Sequence, residues 1–207
     1  MGIEDFIKSG NFRLDQQLLF VAEIDKMTQI FRRTKLIDGT RRENDAEHSW
    51  HIAVMAMILS EYAVKKPDLS HVIKMLLVHD LIEIYAGDTF AFDVEANKNK
   101  AEKEALAADK LFAQLPQEQG AEVRGLWEEF DEMKTDDSLF ANCMDRLQPF
   151  LHNTLTEGTT WREGATSREQ VENRLAVVKE NMPKLWPWIE LNMEKAISMG
   201  WIKNSSS

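Results

Sequence analysis

Between residues 46 and 63 the chain reads AEHSWHIAVMAMILSEYA, and after His51 nearly every side chain is apolar. A helix with no polar face cannot lie on a surface, so other elements must enclose it on all sides. That segment demands a fold built around a buried central helix. Its neighbours supply the enclosure. LDQQLLFVAEIDKMTQIFRR sets Leu18, Leu19, Val21, Ala22, Ile24, Met27, Ile30 and Phe31 at helical spacing, with a break at the turn dipeptide Asp38-Gly39. HVIKMLLVHDLIEIYA follows the Pro67-Asp68-Leu69-Ser70 connection and stops at Gly87. Residues 88–96 read as irregular, with Phe90 and Phe92 needing a place in the core. NKNKAEKEALAADKLFAQL is amphipathic up to Pro116, EVRGLWEEFDEM has an acidic face, and DDSLFANCMDRLQPFLHNTL starts from Asp136 or Asp137 as N-cap. The loop TEGTTWREGATS precedes SREQVENRLAVVKENM and PKLWPWIELNMEKAISMG. No alternating β-branched run and no repeat is present. The expectation is an all-α single-domain bundle over residues 1–203, of roughly seven to nine helices at ordinary helix lengths, with a disordered tail at 204–207.

Charge narrows the partners. The chain carries 25 Lys and Arg against 35 Asp and Glu, a net charge of −10. So acidic a surface repels duplex phosphate, which argues against nucleic-acid binding. No run of apolar residues is long enough to span a membrane, and the N-terminal residues do not read as a secretory signal. The single Cys143 excludes an internal disulfide and a thiolate zinc cluster, and a reducing cytoplasmic setting is expected. One stretch departs from the acidic balance. Residues 32–42 hold Arg32, Arg33, Lys35, Arg41 and Arg42 against Asp38 alone. This is either one local anion site or a solvated helix end with favourable cations in its last turn.

Three places carry candidate chemistry. His79-Asp80 closes the apolar run VIKMLLVHD, and burying both without a partner costs about 2–7 kcal/mol per polar group. A shared divalent cation offsets that, and a buried His–Asp hydrogen bond is the plainer alternative. His48 lies in the first turn of the central helix, behind a cap at Asn44 or Asp45. Asp145 is a carboxylate amid Phe140, Ala141, Cys143, Met144 and Leu147, costly there unless paired. Pro149, four residues on, cannot bond the Asp145 carbonyl, so a kink is expected. Together His48, His79, Asp80 and Asp145 make a set of two nitrogens and two oxygens. That suits one six-coordinate Mn, Fe, Co, Ni, Zn or Mg ion per chain. Glu83 shares the helix face of Asp80, and Asp88 follows Gly87. Both are placed for proton transfer, or are a solvated helix acid and a turn residue.

The segments RRENDAEHS, HDLIEIYAGD and MDRLQ, in that order, resemble the HD-domain metal-dependent phosphohydrolases, over about residues 15–180. Within that family they are most similar to the branch of bacterial 5′-deoxynucleotidases and their eukaryotic HD-domain relatives. The resemblance implies metal ligands at His48, His79, Asp80 and Asp145 and catalytic acids at Glu83 and Asp88. It also implies a substrate arginine at Arg33, with Arg41 or Arg42 able to join it at a phosphate. In the bacterial branch a tryptophan follows that arginine and helps to exclude a ribose 2′-hydroxyl, whereas here Thr34 follows. The implied activity is removal of the 5′-phosphate from (deoxy)nucleoside monophosphates by a homodimer. The alternatives are a nucleoside di- or triphosphate hydrolase or phosphodiesterase on the same site, or a helical regulatory module that keeps the metal as a structural element. Among the remaining candidates, His51 and His152 read as packed histidines, His71 as exposed and Cys143 as a buried inert thiol. Trp161 reads as packing or as a cover for a base, and Lys98, Lys100 and Lys103 as a solvated face or a phosphate contact.

Overall fold

The computed structural model of the chain describes residues 2, 4–87 and 100–204. The fold is helical, as the periodicity implies, with one small antiparallel hairpin. The short α1 (Glu4–Ile7) and α2 (Phe12–Ile24) lead through a 3-10 turn into β1 (Phe31–Lys35), which pairs with β2 (Arg42–Asn44). The helix α3 (Asp45–Leu59) follows directly, and it is not enclosed on all sides as its apolar sequence implies: Trp50, Val54, Met57 and Ile58 leave one face exposed while Ile52, Met55 and Ala56 are buried. Then come α4 (Leu69–Val78), α5 (Glu83–Ala86), α6 (Lys100–Phe112), α7 (Gln117–Glu132) and the long α8 (Asp136–Leu155). The chain closes with α9 (Thr159–Glu163), α10 (Arg168–Arg174), α11 (Ala176–Asn181) and α12 (Trp186–Ser198).

The main core joins Ile52 and Ala56 of α3 to Val72, Met75 and Leu76 of α4 and Ala141 and Met144 of α8, all fully buried. Val178, Ile189 and Met193 close it from the C-terminal helices. A second cluster sets Phe20, Leu81 and Ile82 against Ala108, Leu111 and Phe112.

The structure corrects the expected elements in three places. The helix expected through Arg33 ends at Ile24, and Phe31 to Lys35 form a strand instead. Arg32 and Thr34 turn inward there while Phe31 and Arg33 face out, a period of two that the basic island concealed. Gly39, at φ 72, closes the hairpin with its N–H on the Leu36 carbonyl at 2.8 Å. The helix expected to run on to Ala86 breaks at His79, where Leu81 N–H bonds the Val78 carbonyl and Glu83 N–H the Asp80 carbonyl. The loop expected before residue 167 contains α9, which buries Trp161. α8 continues helical through Pro149.

Candidate metal centre and its cleft

Three elements deliver their polar ends to one point. The hairpin hands the chain to α3 through Asn44, which caps it reciprocally: Glu47 N–H donates to Asn44 Oδ1 at 2.9 Å, and Asn44 N–H to Glu47 Oε2 at 3.0 Å. That fixes the first turn, and His48 lies in it, wholly buried. α4 ends at His79, whose Nδ1 donates to the Leu76 carbonyl at 2.8 Å. In the neutral ring the proton is therefore on Nδ1, and the Nε2 lone pair is turned into the centre. The tightened turn after α4 places that Nε2 3.1 Å from Asp80 Oδ2. From mid-α8, Asp145 Oδ1 reaches His48 Nε2 at 3.2 Å and His79 Nε2 at 3.9 Å. His48, His79 and Asp145 thus offer ligand atoms within 4.8 Å of one another, and Asp80 adjoins them. Two imidazoles and two carboxylates without sulfur suit a divalent cation of the Mn, Co, Zn or Mg kind.

A positive charge is already accommodated at this point. Arg32, inward on β1, bonds Asp80 Oδ2 at 2.7 Å and lies 3.5 Å from Asp45, 3.7 Å from Glu43 and 3.8 Å from Asp145. The guanidinium stands where four carboxylates concentrate negative potential, which is an independent sign that the pocket fits a cation. Titration follows the same field. Burial, with Arg32 adding to it, pushes the His48 pKa down to about 4, so it is neutral and available as a ligand. Burial also opposes charge on His79, but Asp80 and Asp145 outweigh it and raise the pKa. Burial would raise Asp145, yet the His48 hydrogen bond and Arg174 hold it well below the carboxylate range. Asp80 is likewise held low, because His79 and Arg32 overcome its desolvation.

Behind His48 lies a polar chain that sequence reasoning did not single out. Glu43 is 1% exposed, with Oε1 3.7 Å from His48 Nδ1, and neither atom has a hydrogen-bond partner. Gln148 Nε2 donates to the other oxygen at 2.7 Å and sits 3.1 Å from His152 Nε2. His152 in turn donates from Nδ1 to the Lys35 carbonyl at 2.9 Å. Desolvation raises Glu43 to about 7, against the pull of Arg32 and Gln148. The REN tripeptide was the available signal for Glu43, since a charged residue in a strand leading into a buried helix start has nowhere wet to go.

The centre forms one wall of a cleft of about 390 Å³ that Glu83, Thr34, Arg33 and Trp127 also line. The HD domain family matches residues 24–186. The chain belongs to the HD-domain family. Its HD dipeptide is His79-Asp80. The chain is 32% identical over 109 residues to the Xenopus laevis protein named 5′-deoxynucleotidase HDDC2, 53% of each chain. It is 26% identical over 124 residues to the human protein of that name, covering 60% of this chain and 59% of the other. The matched stretch therefore spans little more than half the length of these curated relatives. A solved structure described as a predicted metal-dependent phosphohydrolase from Magnetospirillum magnetotacticum MS-1 is 44% identical, with a TM-score of 0.88 over 95% of this chain and 98% of its own.

Within this HD domain the other expected site residues fall out as follows. Glu83 is buried at the start of α5 and lines the cleft. Asp88 lies outside the described residues, as do Phe90, Phe92 and Lys98. Arg33 lines the cleft with an exposed side chain, while its neighbour Arg32 is the arginine that enters the centre. Arg41 and Arg42 do not line the cleft: Arg41 forks onto Glu47, and Arg42 lies 3.8 Å from Glu163. Both stand at the exposed turn end of the hairpin, Arg41 before β2 and Arg42 at its first residue. His71 bonds Glu129 at 2.7 Å. Cys143 is fully buried and burial pushes it up to about 12, an inert thiol. Trp161 packs on Phe150 at 5.4 Å while edging the cleft, so packing accounts for it.

Proposed function

We propose that this HD domain is a divalent-metal-dependent phosphohydrolase that removes the 5′-phosphate of (deoxy)nucleoside monophosphates. The observation that carries the reading is the convergence of His48, His79, Asp80 and Asp145, with the His79 tautomer fixed by Leu76 so that its lone pair points inward. The family membership and the names of its relatives supply the substrate class. When bound by these four residues, a divalent cation supplies Lewis-acid polarisation of a phosphoryl oxygen and a nucleophile at neutral pH.

The chain's own groups do the rest. Arg33 borders the cleft beside the centre and offers its guanidinium fork to phosphoryl oxygens, while Arg32 stays among the acids. Glu83, one turn beyond Asp80, orients the attacking water and takes its proton, and Asp88 protonates the leaving oxygen of the nucleoside. The apolar side chains of Trp127, Phe130 and Ile82 in the cleft wall keep bulk water from competing. The small Thr34 leaves room beside the sugar, so ribo- and deoxynucleotides are both accepted. The enzyme works in the cytoplasm as a homodimer. Trp50, Val54 and Ile58 form an exposed apolar row along α3 that a second copy would cover.

The test is orthophosphate release from a panel of ribo- and deoxynucleoside monophosphates with Mn, Co or Mg. Turnover lost on chelation and restored by metal supports the reading. Pyrophosphate or triphosphate release from nucleoside triphosphates would move the activity to polyphosphate hydrolysis. A tightly held ion with no turnover on any ester would leave a structural site.

A further inference from the structure

The Asp145 carboxylate has two sides. Oδ1 faces His48 and His79, and Oδ2 accepts a hydrogen bond from Arg174 Nη2 at 3.0 Å. Arg174 is the last residue of α10, and its side chain keeps about a third of its surface, 34%, open to the cleft. The next residue on α8, Arg146, lines the same cleft from beside Asp145. Its Nη2 donates to Met133 Sδ at 3.0 Å and to Asn142 Oδ1 at 3.4 Å, both uncharged acceptors. Its Nε is buried with no hydrogen-bond partner, and no carboxylate pairs with it among the described residues. Met133, which takes the place of an acid against this guanidinium, adopts the left-handed φ of 52 at the end of α7.

Asp145 is the one carboxylate paired with either arginine among the described residues, and it is already shared with His48 and lies 3.8 Å from Arg32. A partly buried guanidinium whose hydrogen bonds go to uncharged acceptors has room for an anion that arrives from outside. We propose that Arg146 and Arg174 form an oxyanion subsite that grips the phosphoryl group of the substrate, on the side of Asp145 opposite the two histidines, and holds orthophosphate after hydrolysis. The two guanidinium forks, one of them on the far oxygen of Asp145, match the several oxygens of a phosphoryl group. The inference rests on the reading of the substrate as a phosphate ester and adds two arginines to which the sequence reading assigns no role.

The experiment is inorganic phosphate binding to the metal-free protein, followed by calorimetry or 31P line broadening, in wild type, Arg146→Gln, Arg174→Gln and the two lysine variants. Phosphate should bind without metal, and each glutamine variant should weaken it by about tenfold, as for loss of a charge-assisted pair. The lysine variants should recover part of the loss. With metal restored, the glutamine variants should raise KM for a monophosphate and relieve inhibition by phosphate, while Mn affinity of Arg146→Gln stays within about twofold. Arg174 is part-exposed, so its variant folds and keeps the test decisive if Arg146→Gln does not. Phosphate affinity unchanged in Arg174→Gln, or absent in wild type, overturns the subsite. Phosphate binding by a wild type that hydrolyses no ester, weakened in the glutamine variants, would instead retain the subsite and sink the phosphohydrolase reading.

Discussion

Glu43 shows how a single buried carboxylate can oppose stability while serving the centre. Its raised pKa, about 7, means that folding disfavours its charged form. A carboxylate raised on folding costs stability above its unfolded pKa, increasingly as pH climbs toward the folded value. Glu43→Gln cannot ionise and keeps an acceptor for Gln148. It should therefore stabilise the metal-free protein at pH 8 by about 2 kcal/mol, and much less at pH 5. Metal affinity should move the other way. His48 Nδ1 faces Glu43 Oε1 across 3.7 Å, so the carboxylate is placed to orient the ring once Nε2 is a ligand. Losing such an outer partner weakens binding by about 10–100-fold. Thermal melts at two pH values and a Mn titration check both halves, and a variant with unchanged metal affinity removes Glu43 from the centre. Asp80 and Glu83 separate in the same way. Asp80→Ala should lose both metal and turnover. Glu83→Ala should keep the metal and lose about 10²–10⁴ in rate, as for removal of a proton-transfer group. Equal metal loss in both would make Glu83 a ligand.

At the scale of elements, the site depends on short connections that hold long helices in register. Gly158 begins α9 at φ +64, and a Cβ there would stand 2.5 Å from Trp201 Cβ and 3.3 Å from the Trp161 ring. Gly158→Ala combines backbone strain with a clash against a well-packed indole, and should cost about 2–4 kcal/mol. Because Trp161 edges the cleft, KM should rise along with the fall in Tm. A Tm within a degree of wild type would mean that α9 yields freely. Connections of this kind were also what the amino-acid pattern concealed. α3, α4 and α8 bury continuous apolar faces, so their periodicity announced them, and His48, His79 and Asp145 could be placed on them by position alone. The hairpin escaped because Phe31-Arg32-Arg33 continues a helical pattern on one side and a run of cations on the other. Only the pairing with Arg42–Asn44 decides for a strand. The error had a local consequence: on a helix Arg32 and Arg33 are equivalent candidates, whereas on a strand one enters the acids and the other does not. The break at His79 was hidden for a related reason, since its tightened turn leaves the apolar spacing of LLVHDLIEIYA intact.

Across the whole molecule, the centre joins segments that are far apart in the chain: α3, the end of α4 and the middle of α8. A cation that binds the folded chain and not the unfolded one adds stability by mass action, about 2.7 kcal/mol at a hundred times its Kd. For a chain of this length that is a Tm rise of about 5–10 °C. The pH dependence of this rise can be worked out from the two histidines, which act with opposite signs. His48 is lowered to about 4 on folding, so it favours the folded chain once pH exceeds its unfolded value and withdraws that support as pH falls toward 4. His79 is raised, so its contribution is complete below its unfolded pKa and is lost as pH climbs through its folded value. About one unit above the ordinary histidine value of about 6.5, His48 has nearly finished titrating in both states, and the metal-free protein should lose stability as His79 releases its proton beside Asp80 and Asp145. A divalent cation replaces that proton's charge. The stabilisation by Mn should therefore grow with pH across the neutral range, by up to about tenfold in affinity per unit, and level off once His79 is neutral in the metal-free chain. Melting curves with chelator and with excess Mn between pH 6 and 9 measure this difference directly. A gap that stays constant with pH would mean that no proton leaves His79 when the metal binds, and that His79 is not among its ligands.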